Sequence, residues 1–187
     1  SVGDRVGALV FNDTDVSVIP PHRSRERVMQ ILKQVTEKNH ALSSGSDLKP
    51  NPGQLNEVLK QVGIQARHDC LICLISDADG IDGETRRHVT RIAEHNDVLT
   101  AFIYDPLEKS MPPAGRLRFT DGSGQLEADT SEKNLRADFE SEFERKTEQI
   151  ANSARQFSIP VLALDTVRPV ADQLRDAFGH QQGTRRY

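Results

Sequence analysis

The chain has 187 residues, 36% of them hydrophobic and 28% charged, and its 24 basic and 28 acidic side chains leave a net charge of -4. That size suits one compact core. No stretch approaches the roughly 20 apolar residues of a membrane-spanning helix, the front lacks the basic, apolar and small-residue pattern of a signal peptide, and no global positive field exists to draw in nucleic acid.

Two cysteines, Cys70 and Cys73, are too few for a disulfide scaffold and fit a reducing compartment. The expectation is a soluble, cytoplasmic α/β domain over residues 3–179 with a polar tail at 180–187, and with neither a nucleic-acid nor a membrane partner.

Arg5–Phe11 is a short apolar run bounded by Gly3-Asp4 and Asn12-Asp13, which predicts a buried strand. Asp15–Ile19 alternates and stops at Pro20-Pro21, as an edge strand hairpinned onto the first would. After Ser24, the apolar residues Val28, Ile31, Leu32 and Val35 form the stripe of a helix lying on a sheet. Ser43–Pro50 is a polar loop. Asn51-Pro52 then opens a second helix, with Asn capping free amides and Pro supplying the first turn, and Leu55, Val58, Leu59 and Val62 repeat the stripe.

Cys70–Ile75 is an almost unbroken apolar run, which predicts a central strand covered on both faces. Asp82 can cap a third helix with Val89, Ile92 and Ala93 inward, and Val98–Tyr104 is another strand. Strands alternating with helices imply parallel crossovers and a twisted sheet with helices on both faces. Arg116–Thr130 breaks this alternation as an inserted β-hairpin around Asp121–Gly124. Ser131 then caps a long charged helix whose seam is Leu135, Phe139, Phe143, Ile150, Ala154 and Phe157. Ile159–Leu164 is a last strand, followed by a helix with Val170, Leu174 and Phe178 inward.

The segment most suggestive of chemistry is Ser76-Asp77-Ala78-Asp79-Gly80-Ile81-Asp82, where three carboxylates crowd the carboxyl end of the predicted central strand, the edge at which open α/β sheets bind ligands. Carboxylates this dense repel unless a cation, an arginine or protons offset them, so Mg²⁺ is a sensible guest. Asp79, Gly80 and Asp82 also suit a plain turn and helix cap. An EF-hand loop counted from Asp77 would need Gly at Asp82 and Glu at His88, and so fails. Asp77-Ala78-Asp79-Gly80 after an apolar strand resembles the nucleophile motif of haloacid dehalogenase-type phosphatases, which would make Asp77 the attacking group and Asp79 the acid/base. The family's following Thr is Ile81 here.

A longer resemblance joins Gly3-Asp4-Arg5-Val6-Gly7 through Phe11 to Leu71–Asp77, with its Ile-Ser-Asp strand end, and to the late strand Ile159–Thr166. Over about Gly3–Gly179 the chain resembles the von Willebrand factor A-like domain of a bacterial uncharacterised family whose members accompany MoxR-type AAA+ ATPases. The resemblance implies a non-enzymatic interaction module that binds a protein partner, such as that ATPase, around Ser76, Asp77 and Asp79. It also implies a divalent-metal site in which Asp77 is the fourth-strand ligand. The Asp-x-Ser-x-Ser loop of that family would lie upstream of Ser1, and its Thr position falls near Gly53, so the site is incomplete here, with Ser44 or Ser46 as possible substitutes. No cofactor is expected in this chain, with Mg²⁺ reserved for a longer protein. On the same reasoning the first central strand is missing. The gap would then close by pairing of Arg5–Phe11 with Cys70–Ile75, or another chain, including a second copy, would fill it.

Cys70 and Cys73 inside an apolar strand read as packing rather than as zinc or redox ligands. Arg116, Arg118 and Phe119 on the inserted ribbon are further binding candidates, because exposed ribbons carry specificity on rigid scaffolds.

Overall fold

A computed structural model describes residues 3–41, 51–120 and 125–179. Its elements run β1 (Val6–Phe11), β2 (Val16–His22), α1 (Arg25–Ala41), α2 (Gln54–Gln65), β3 (Leu71–Ser76), α3 (Gly83–Ala93), β4 (Asp97–Tyr104), α4 (Pro106–Lys109), β5 (Arg116–Thr120), β6 (Gln125–Asp129), α5 (Lys133–Phe157), β7 (Val161–Asp165) and α6 (Val170–Gly179). This is the α/β class expected, with a parallel sheet and antiparallel hairpins. The chain divides into two compact units: Ser1–Gln65 with Gly80–His88 and Arg118–Leu126, and Ala66–Asp79 with Val89–Leu117 and Glu127–Tyr187. No helix among the described residues is long and apolar enough to cross a membrane.

In the first unit β1 and β2 form an antiparallel hairpin with a register shift between Val6 and Ala8. Gly7 sits at that irregularity because a Cβ there would lie 2.8 Å from both the Ile19 carbonyl oxygen and the Pro21 nitrogen. Helix α1 starts where Ser24 predicts, the Arg27 N–H donating to Ser24 Oγ at 3.1 Å, and it packs on β1 and β2. Its stripe is mostly uncovered, with Val28, Leu32 and Val35 exposed and only Ile31 partly buried. Two strands offer too little surface to bury a helix of this length. Helix α2 begins at Gln54 rather than Pro52, and Asn51 bonds to Asp13 through its backbone N–H and side-chain amide instead of capping. Leu55, Val58 and Leu59 are buried as expected.

In the second unit β3, β4 and β7 form a parallel sheet in the order β3-β4-β7. Ala101, Leu162 and Leu164 make its core on one face, packed by Leu174 and Ala177 of α6, while Phe102 and Tyr104 on the other face meet Phe143 of α5. Helix α6 is rotated from the expected stripe. Val170 and Phe178 are exposed and Gln173 is buried, because the Asp165 N–H donates to Gln173 Oε1 at 2.8 Å and Gln173 Nε2 donates to the Asp165 and Arg168 carbonyls at 2.9 Å each. Helix α5 starts after Glu132 without a side-chain cap, and the Ser131 N–H is taken by Asp129 Oδ1 at 2.9 Å.

Strand β3 departs most from expectation. Its identity is as predicted, but among the described residues it pairs with β4 alone and so forms an edge, not a centre. Among the described residues the expected pairing of Arg5–Phe11 with Cys70–Ile75 is not formed, and β1 bonds to β2. Leu71 and Ile75, on the face shared with Ala101, are 74% and 63% exposed.

Candidate functional site

The carboxyl end of β3 turns sharply at Ser76. The Ala78 N–H donates to Ser76 Oγ at 3.1 Å, and the Asp79 N–H donates to Asp77 Oδ1 at 3.2 Å. Ala78 is buried with φ of 65°, in the left-handed region, so the turn carries backbone strain that its hydrogen bonds offset. Ser76, Asp77 and Asp79 are thus brought together in one turn, as the sequence predicts. The Asp77 carboxylate braces that turn from an exposed position.

Charge crowding is met by an amine. Lys146 Nζ of α5 lies 2.6 Å from Asp79 Oδ1 and 4.0 Å from Glu108 Oε2, and 5.9 Å from the centroid of the Phe102 ring. The ammonium therefore bridges two carboxylates over an aromatic face, where the ring quadrupole attracts it. This is the offset such a cluster requires, supplied by the protein itself.

Asp82 serves as a helix cap. Its Oδ1 accepts from the Glu84 and Thr85 N–H groups at 2.8 Å each, and from Asn56 Nδ2 at 3.2 Å. The Thr85 N–H first, and then the Asn56 amide, hold its carboxyl down to about 2, since donors to a carboxylate favour the charged form. Thr85 and Asn56 are 3% and 5% exposed, and the Thr85 hydroxyl donates to Asn56 Oδ1 at 2.7 Å while accepting the Asp82 N–H at 3.1 Å. Gly80 has φ of +75°, and a Cβ there would lie 2.3 Å from the Pro52 carbonyl oxygen. Only glycine fits.

These assignments bear on metal binding. Among the described residues no three His, Cys, Asp or Glu side chains gather at ligating distance. Asp79 is turned to Lys146 and Asp82 to the start of α3, which leaves Asp77 and the Ser76 hydroxyl, too few donors for an ion that takes six oxygens. Those residues by themselves do not fit Mg²⁺. Ser44 and Ser46 lie outside the described residues. Nothing among the described residues favours phosphoryl transfer by Asp77 and Asp79.

Arg116, Arg118 and Phe119 stand exposed on β5, an element separate from the turn. The ribbon is anchored at its base by Thr130, which is fully buried. The Thr130 hydroxyl donates to the Gly115 carbonyl and accepts the Ala114 N–H, both at 2.9 Å. Its tip at Asp121–Gly124 lies outside the described residues. Cys73 is exposed within β3, while Cys70 precedes the strand, with its N–H donating to Asn96 Oδ1 at 3.1 Å.

Lys146 is the site residue that sequence reasoning missed. It lies three residues after Phe143 and four before Ile150, on the apolar seam itself, and a lysine at a seam position was the available signal. Helix α4 was missed too, although Asp105-Pro106-Leu107-Glu108 spells a capping box, and the structure forms it. The model of one family, described as protein of unknown function DUF58, matches residues 1–149. No curated protein and no solved structure matches the chain.

Proposed function

As the chain belongs to the DUF58 family of proteins of unknown function, we propose that it is a non-enzymatic protein-interaction module of von Willebrand factor A-like type, acting as partner or adaptor of a MoxR-type AAA+ ATPase in the cytoplasm. One observation carries the reading. The edge of β3 that is unpaired among the described residues, with Leu71 and Ile75 exposed, runs directly into the strained turn that presents Asp77. An uncharged strand with unpaired backbone groups along one edge is a template for another chain, and a rigid turn at its end supplies polar specificity. Ser76, Asp77 and Asp79 are the binding surface in this reading, and Arg116, Arg118 and Phe119 on the ribbon are a separate candidate contact.

That the nearest carboxylates are already committed to Lys146 and to the start of α3 also supports recognition over catalysis. The test is capture of a MoxR-type ATPase by this protein, with and without Mg²⁺. Association that weakens in an Asp77→Ala variant is expected. Absence of association in both conditions would remove the adaptor reading.

A further inference from the structure

A cleft of about 510 Å³ opens beside the turn, within the same compact unit. Its floor is aromatic: Tyr104 lies 5.7 Å from Phe102 and 5.4 Å from Phe143, centroid to centroid. Glu140 and Glu144 of α5 line the cleft together with Lys109. Glu140 and Glu144 are four residues apart on one helix face, so their carboxylates repel. The one amine in the lining offsets only one of them, and the lining keeps an excess negative charge. Glu140 is steadied by the Ser110 hydroxyl, which donates to it at 3.2 Å. The same aromatic cluster already attracts a cation, since the Lys146 ammonium sits 5.9 Å from the Phe102 centroid.

We infer that this cleft receives an arginine side chain from a protein partner. The inference rests on the interaction-module reading and names what that partner must present. Arginine suits the lining better than lysine because a planar guanidinium stacks on an aromatic face while its fork of N–H donors engages carboxylates. The volume falls within the range of specific pockets and has room for the side chain with its flanking backbone. A neutral or acidic side chain would leave the glutamate pair uncompensated.

The experiment titrates the whole chain with acetyl-Gly-Gly-Arg-Gly-Gly-amide and follows the ring resonances of Tyr104 and Phe143 by NMR, with the citrulline peptide as an isosteric neutral probe. Saturable shifts are expected for the arginine peptide. Binding about fivefold to tenfold weaker is expected for citrulline, which loses one cation–aromatic contact and one exposed ion pair, and about twofold to fivefold weaker for the surface double variant Glu140→Gln/Glu144→Gln, which loses the ion pair alone. Equal shifts with both peptides, or unchanged binding in the double variant, would overturn the assignment. The two readings also fail separately. Capture of the ATPase without any arginine-peptide shift refutes the cleft's occupant alone, and arginine-peptide binding without capture refutes the adaptor alone.

Discussion

Replacing Lys146 with methionine removes the ammonium and keeps an apolar stem against Phe102. The Asp79 side chain is 77% exposed and that of Lys146 only 23%, so the pair is worth about 0.5–1 kcal/mol, not the larger sum of a buried one. The contact with the Phe102 ring adds about 0.5–1 kcal/mol. Lys146→Met should therefore cost about 1–2 kcal/mol, which for a chain of this length lowers the Tm by about 2–8 °C. Asp79→Asn loses the pair alone. A double-mutant cycle by urea unfolding isolates the coupling, expected at about 0.5–1 kcal/mol in low salt, and falling by roughly half in 1 M NaCl, where the screening length is about 3 Å. A coupling indistinguishable from zero in low salt would refute the reasoning, because solvent alone would then be neutralising the turn.

Asp82 gives a pH signature. Its carboxyl titrates at about 2 in the folded chain against an ordinary 3.8, so the stability it confers is present above the unfolded value and is lost as pH falls through the folded one. Unfolding followed from pH 4 to pH 2 should show a shallower loss in Asp82→Asn than in the parent, and identical slopes would argue against the cap. Thr85→Val should cost about 1–3 kcal/mol, because it strands the buried Asn56 oxygen and the Asp82 N–H; Thr85→Ser, which keeps the hydroxyl, should cost less, as read from denaturant midpoints at constant slope. Ile75→Lys, at an exposed position on β3, should change stability by less than about 0.5 kcal/mol and slow concentration-dependent aggregation seen by light scattering. A loss above about 2 kcal/mol there would mean that Ile75 is buried after all.

Much of the fold was legible because apolar runs and helical stripes record what each segment must bury. β4, α3 and the β5–β6 ribbon follow their patterns closely. The environment of β3 was not legible: an unbroken apolar run states that a strand wants neighbours on both sides, but not whether this chain provides them. The turn at Asp77–Asp82 was half legible. Three carboxylates can hold a metal, brace a turn or cap a helix, and what decided among them was Lys146, which is 67 residues from Asp79 in the chain. Gln173 misled for the opposite reason, since a polar side chain in a stripe counts against burial until its three backbone hydrogen bonds are seen.

If another chain pairs along the edge of β3 left unpaired among the described residues, stability becomes a shared quantity. Whatever pairs along that edge binds the folded unit and not the unfolded chain, so the melting temperature becomes a function of the partner's concentration and not of this chain alone. At a hundredfold excess over the dissociation constant the gain is about 2.7 kcal/mol, or about 5–11 °C for a chain of this size. A thermal shift that grows with the logarithm of partner concentration would thus rank candidate partners without any assay of what the pair does.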